Sequence, residues 1–129
     1  MHSPRILLVE DDPLVRAAVL RLLHASGLSV IPVCDGDAAK VAMDDAGDFD
    51  LLITDIRIPG RLDGLAVASE WRRHYRECPI IFVSGHCNVD AISNALGPRD
   101  IFIRKPFRRA EFIGTIRGML SSAERLKML

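Results

Sequence analysis

The sequence has no surplus of charge of either sign. Its 17 Lys and Arg residues match 17 Asp and Glu residues, for a formal net charge of zero. A general nucleic-acid binder carries a basic excess, so direct nucleic-acid binding is not expected. No apolar run approaches the roughly 18 residues that a membrane span requires, and the start MHSPRILLVEDD has no signal-peptide layout. Cysteine is scarce too. Cys34, Cys78 and Cys87 are odd in number and form no CxxC pair, which argues against a disulfide framework and a zinc site. Reduced thiols, a cytoplasmic location and no membrane partner are the expectations that follow. The 129 residues, 49% apolar and 26% charged, suffice for one domain with a real core.

Strand-length apolar runs recur at Ile6–Val9, Ser29–Val33, Leu51–Thr54, Ile80–Ser84 and Ile101–Arg104. Segments with helical spacing lie between them. Val15, Ala18, Val19, Leu22 and Leu23 form one stripe, with Arg16, Arg21 and His24 off it, and Gly27 stands where a helix C-terminal glycine belongs. Further helices are expected over Asp37 to Ala46, from Asp63-Gly64 through Val67, Trp71 and Tyr75, and over Val89 to Leu96 with Asn88 as N-cap. The last covers Arg108 to Leu120, where Gly114 and Gly118 lower the propensity and leave packing to hold the helix.

Strict alternation of strand and helix implies right-handed crossovers and a parallel sheet covered on both faces. Runs one, three and four are apolar on both faces, as central strands must be. Pro32 cannot donate to a ladder from inside a sheet and marks run two as an edge, and Asp100 and Arg104 suit run five to the other edge. The expected fold is therefore α/β: a flavodoxin-like, doubly wound, five-stranded parallel sheet of order 2-1-3-4-5 with helices on both faces. In such a sheet the functional crevice lies at the carboxyl ends of the strands, beside the switch point between strands 1 and 3.

Those strand ends carry Glu10-Asp11-Asp12, Thr54-Asp55, Ser84-Gly85-His86 and Arg104-Lys105-Pro106. Taken singly, each is most simply a cap, a turn residue or a solvated charge, and Asp12 before Pro13 reads as N-cap and N1. Taken together, several carboxylates at adjacent strand ends repel unless a hard cation sits among them. Mg²⁺ prefers oxygen ligands and shares them with a phosphate. Lys105 brings a point charge for an anion, and Ser84 a hydroxyl donor. A carboxylate nucleophile, a divalent metal and a lysine are the parts for forming an aspartyl phosphate.

With these residues assembled, the chain resembles the receiver domain of two-component response regulators over about residues 4 to 120. The motifs that carry the likeness are the acidic pair in VED, the segment DLLITDIRIPGRLDG, the hydroxyl residue in IIFVSG, and RKPF. The resemblance implies a stand-alone receiver over residues 1–120, with 121–129 as a helix extension or tail. It implies that Asp55 accepts a phosphoryl group from a histidine kinase or phosphotransfer protein, with Ser84 and Lys105 contacting that group. Glu10, Asp11, Asp55 and the backbone carbonyl of Arg57 then hold Mg²⁺. Ser84 and Phe102 act as the switch pair, and activation remodels the helix 4–strand 5–helix 5 face toward an unknown protein target. A homodimer is compatible with this pattern. Phosphotransfer and dephosphorylation at Asp55 are self-catalysed, so the chain is not expected to be an enzyme.

Departures from the family pattern are also legible. The segment after the acceptor, Ile58-Pro59-Gly60-Arg61-Leu62-Asp63-Gly64, is one residue longer than usual, and Gly97-Pro98 shortens helix 4. Arg57 and His86 lie two residues after the acceptor and after the hydroxyl residue, positions from which they can tune dephosphorylation. Two other function classes fit the same fold. A flavodoxin-like FMN-binding electron carrier needs a Gly/Ser/Thr-rich loop after strand 1, where this chain has three acids. A hydrolase with an aspartyl-phosphate intermediate commonly has a second acid where Arg57 stands.

Overall fold

The computed structural model describes residues 4–45, 47–85 and 89–127. Strands β1 (Arg5–Val9), β2 (Ser29–Val33), β3 (Leu51–Asp55), β4 (Ile80–Ser84) and β5 (Ile101–Arg104) alternate with helices α1 (Pro13–Ala25), α2 (Gly36–Asp45), α3 (Gly64–His74), α4 (Val89–Ala95) and α5 (Arg109–Lys127). The strands are parallel and lie in the order β2-β1-β3-β4-β5, the order expected from the apolar runs. Pro32 sits on edge strand β2, opposite Leu8 of β1. The strand's outer side needs no donor, so the missing N–H costs nothing there.

The pleat sends successive side chains to opposite faces and so builds two cores. Ile6 and Leu8 pack on one face with Leu23 of α1 and Phe112 and Ile116 of α5. Leu7 and Val9 pack on the other with Ala39 and Met43 of α2 and Val67 and Trp71 of α3. Each fully buried Leu, Ile or Phe contributes on the order of 1.5–3 kcal/mol. That burial holds α5 in spite of its two glycines.

Local signals account for most helix ends. Asp12 caps α1, its carboxylate accepting from the Leu14 and Val15 amides at 2.9 and 3.3 Å, with Pro13 as the first helical residue. At the other end Gly27 takes φ +80°, and the Gly27 and Leu28 amides bond back to His24 and Leu23 in a Schellman turn. Helix α2 starts at Gly36 rather than Asp37, because Asp35 is the cap and accepts from the Ala38 amide at 2.8 Å. Ala46 and Asn88 lie outside the described residues. Helix α5 continues past Leu120 to Lys127.

Asp100 precedes edge strand β5, as expected, but its carboxylate is not solvated. Its side chain is 6% exposed and pairs with Arg72 of α3 at 2.5 Å. The same carboxylate accepts from the Ile80 and Gly97 amides, and Arg72 also donates to the Ala95 carbonyl. This cluster ties α3 and the end of α4 to the starts of β4 and β5, at the end of the strands opposite the crevice.

Candidate functional site

Parallel strands end together, so the residues that follow them converge. Val9 pairs with Thr54, Asp55 with Val83 and Ser84 with Arg104, which sets Glu10, Asp55, Ser84 and Lys105 along one rim. Lys105 occupies the centre. Its ammonium donates to Asp55 Oδ2 at 2.8 Å and to Glu10 Oε1 at 2.5 Å. Its own amide bonds the Ser84 carbonyl at 2.9 Å, which fixes the base of the side chain to the end of β4. The Lys105–Pro106 peptide is cis.

The acids differ in setting. Glu10 is buried, and its second carboxylate oxygen accepts from the Asp12 amide at 3.2 Å. Asp55 is half-buried, with Oδ1 accepting from the Arg57 amide at 3.1 Å, while Asp11 is exposed. One oxygen from each of Glu10, Asp11 and Asp55 lies within 4.8 Å of the others. Three carboxylates against one ammonium leave the rim negative, and all-oxygen donors suit a hard divalent cation such as Mg²⁺.

Burial pushes the Glu10 carboxyl above its ordinary range, and the hydrogen bonds from Lys105 and Asp12 only partly offset this. Burial alone would lower the Lys105 ammonium. Its bonds to Asp55 and Glu10 outweigh that effect and hold it above the usual lysine value, so it is charged at neutral pH.

The structure brings Glu10, Asp11, Asp55, Ser84 and Lys105 to the same rim. Ser84 is buried at the last position of β4. Phe102 lies on β5 opposite Phe82, half-buried against the core beneath α2 and α3. The Arg57 side chain is exposed, while His86 lies outside the described residues. Gly64, first in α3, lies so close beneath the site that a Cβ there would overlap the Asp55 carbonyl oxygen. The longer β3–α3 loop turns at Gly60, where φ is +100°. It then packs Leu62 onto Gly36 of α2 and pairs Arg61 with Asp37 at 3.3 Å. The extra length is thus taken up against α2.

Sequence reasoning missed Arg16, which read only as off the apolar stripe of α1. Its guanidinium reaches back to the carbonyls of Glu10 and Asp11 at 2.9 and 3.4 Å. A backbone partner leaves no side-chain signature, although an arginine in the first turns after an acidic strand end is the available cue.

A doubly wound parallel sheet with a lysine spanning two of three clustered carboxylates defines the receiver class of signalling domains. The chain belongs to the response regulator receiver domain family, which it matches over residues 6–117. It is 35% identical over 116 residues to the transcriptional regulatory protein TcrA of Mycobacterium tuberculosis, covering 89% of this chain and 45% of that protein. The chain spans about half the length of such curated relatives. A solved response regulator receiver protein from Sinorhizobium medicae superposes with a TM-score of 0.87 at 29% identity, covering 95% of this chain and 98% of that one. The receiver domain of a sensor histidine kinase from Pseudomonas aeruginosa gives a TM-score of 0.80 at 28% identity, covering 93% and 99%. That structure holds a magnesium ion in its active-site cleft. Among the described residues of this chain, no helix is long and apolar enough to cross a membrane.

Proposed function

We propose that the chain is a phosphorylation-operated switch in which Asp55 is the phosphoacceptor. The contact of the Lys105 ammonium with Asp55 Oδ2 at 2.8 Å, with two more carboxylates beside it, carries this reading. A histidine kinase or phosphotransfer protein presents a phosphohistidine. An Asp55 oxygen attacks its phosphorus, the P–N bond breaks as the P–O bond forms, and the imidazole leaves with its electron pair. Lys105 is placed to follow the phosphoryl oxygens as a point charge, and the Ser84 hydroxyl to donate to one of them.

Glu10, Asp11, Asp55 and the Arg57 carbonyl are the residues that would hold Mg²⁺, as the donor chemistry and the metal-bound Pseudomonas relative support. When bound, the ion offsets the negative charge that the acids and the phosphoryl group share. Ser84 drawn toward the phosphoryl group frees room for Phe102 to move inward, and the α4–β5–α5 face changes for a protein target or a second copy. The reaction is self-catalysed and single-turnover, so the chain is a substrate and switch rather than an enzyme. Arg57 and His86 tune its lifetime by hydrogen bonding the phosphoryl group or the attacking water.

Mass spectrometry after incubation with Mg²⁺ and acetyl phosphate tests the central claim. A phosphoryl adduct is expected on the parent and absent from Asp55→Ala; an adduct of equal yield on the variant sinks it. The Arg57→Ala and His86→Ala adducts are expected to decay at rates different from the parent's, and parent-like decay in both removes the tuning role.

A further inference from the structure

Three consecutive acids leave β1 at Glu10, and their mutual repulsion favours spreading the turn. The Asp12 carboxylate is committed to the helix cap, and the Glu10 amide bonds the Val33 carbonyl of β2. The Glu10 carboxylate accepts from the Asp12 amide and from Lys105, and the Arg16 side chain ties down the backbone of the acidic pair. One guanidinium nitrogen donates to the Glu10 carbonyl at 2.9 Å and lies 3.4 Å from that of Asp11, bridging the two peptide groups from which the acidic side chains project. The Arg16 side chain is half-buried, and α1 is anchored by its cap and by Val19 and Leu23 in the core. The bridge therefore runs from a rigid helix to the turn rather than from one loose segment to another.

We infer that Arg16 is a positioning residue for the metal site: by gripping the Glu10 and Asp11 carbonyls it holds the acidic pair facing Asp55. This rests on the Mg²⁺ reading given above. It also fixes a sign. A cation near a metal site opposes a dication, so removing Arg16 without moving the ligands must tighten Mg²⁺ binding. Removing a group that holds the ligands in place must weaken it.

Isothermal titration of Mg²⁺ into the full chain decides between these outcomes. The parent is compared with Arg16→Ala, Arg16→Gln (which keeps a packing stem should the alanine variant not fold), Arg16→Lys and the exposed Arg21→Ala. The dissociation constant is expected to rise about tenfold in Arg16→Ala and Arg16→Gln, the low end for outer partners of metal ligands. Arg16→Lys should recover part of the loss, and Arg21→Ala should match the parent. Amide resonances of Asp11 and Asp12 should shift in the alanine variant before metal is added. Tighter or unchanged Mg²⁺ binding in both loss variants overturns the inference, as does a lysine variant with no recovery. A parent that binds no Mg²⁺ overturns the reading beneath it as well.

Discussion

Two ion-pair clusters sit at opposite ends of the strands, and they are built on different charge balances. At the amino ends of β4 and β5, one arginine faces one aspartate. Both Asp100 oxygens are occupied, by Arg72 and by the Gly97 and Ile80 amides. At the carboxyl ends, one lysine faces three acids, and the outermost of them is exposed. The contacts are equally short, so distance does not separate the two. What separates them is that the first cluster is neutral and saturated, whereas the second carries uncompensated negative charge. A balanced pair with a buried carboxylate serves the architecture, whereas an unbalanced cluster of carboxylates is suited to a cation.

The sharpest way to break this contrast is to cut each cluster in turn. Asp100→Ala leaves the Arg72 charge and two amides without their partner, and should cost about 3 kcal/mol in urea unfolding while leaving Mg²⁺ affinity at the parent value. A loss below about 1 kcal/mol there would show that the Arg72 pair is ornamental. Next in size is the response to metal. Saturating Mg²⁺ at about 100 times its dissociation constant should add about 2.7 kcal/mol to stability, reversed by EDTA and undiminished in Asp100→Ala. The opposite sign is expected for Asp11→Ala. Without metal it should stabilise by roughly 0.5–1 kcal/mol through relief of repulsion, screened because Asp11 is exposed. The same variant should lose the Mg²⁺ increment, and destabilisation in EDTA would contradict the charge argument. The smallest effect belongs to Arg61→Ala, whose pair with Asp37 is exposed on both sides; thermal unfolding should register less than about 0.5 kcal/mol.

The sheet order was legible because Pro32 and the doubly apolar runs constrain which strands can be central. The cap at Asp12 was legible because Pro13 follows it directly. The rim was legible once the strand ends were aligned, since parallel strands bring their terminal residues together whatever their separation along the chain. Less was visible where the partner is distant or is backbone. Nothing in local spacing ties Asp100 to Arg72, so Asp100 marked the edge strand correctly but its buried carboxylate and its partner stayed hidden. Asp35, Gly36 and Asp37 offered two acids for one cap, and only the Ala38 bond chooses between them. Arg16 bonds carbonyls, which every residue has, so only its place in the first turns after an acidic strand end hints at its role.

The bridge between Lys105 and Glu10 joins positions 95 apart in the chain. During synthesis the acids at 10, 11 and 55 therefore emerge well before the ammonium that separates them, and loop closure over that span is paid only when β5 reaches the sheet. The Lys105–Asp55 contact thus depends on the last strand to arrive. On the proposed reading, a chain halted before β5 would hold the acceptor and all of the proposed metal ligands without the ammonium that poises them, so phosphoryl acceptance would report that β5 has joined the sheet.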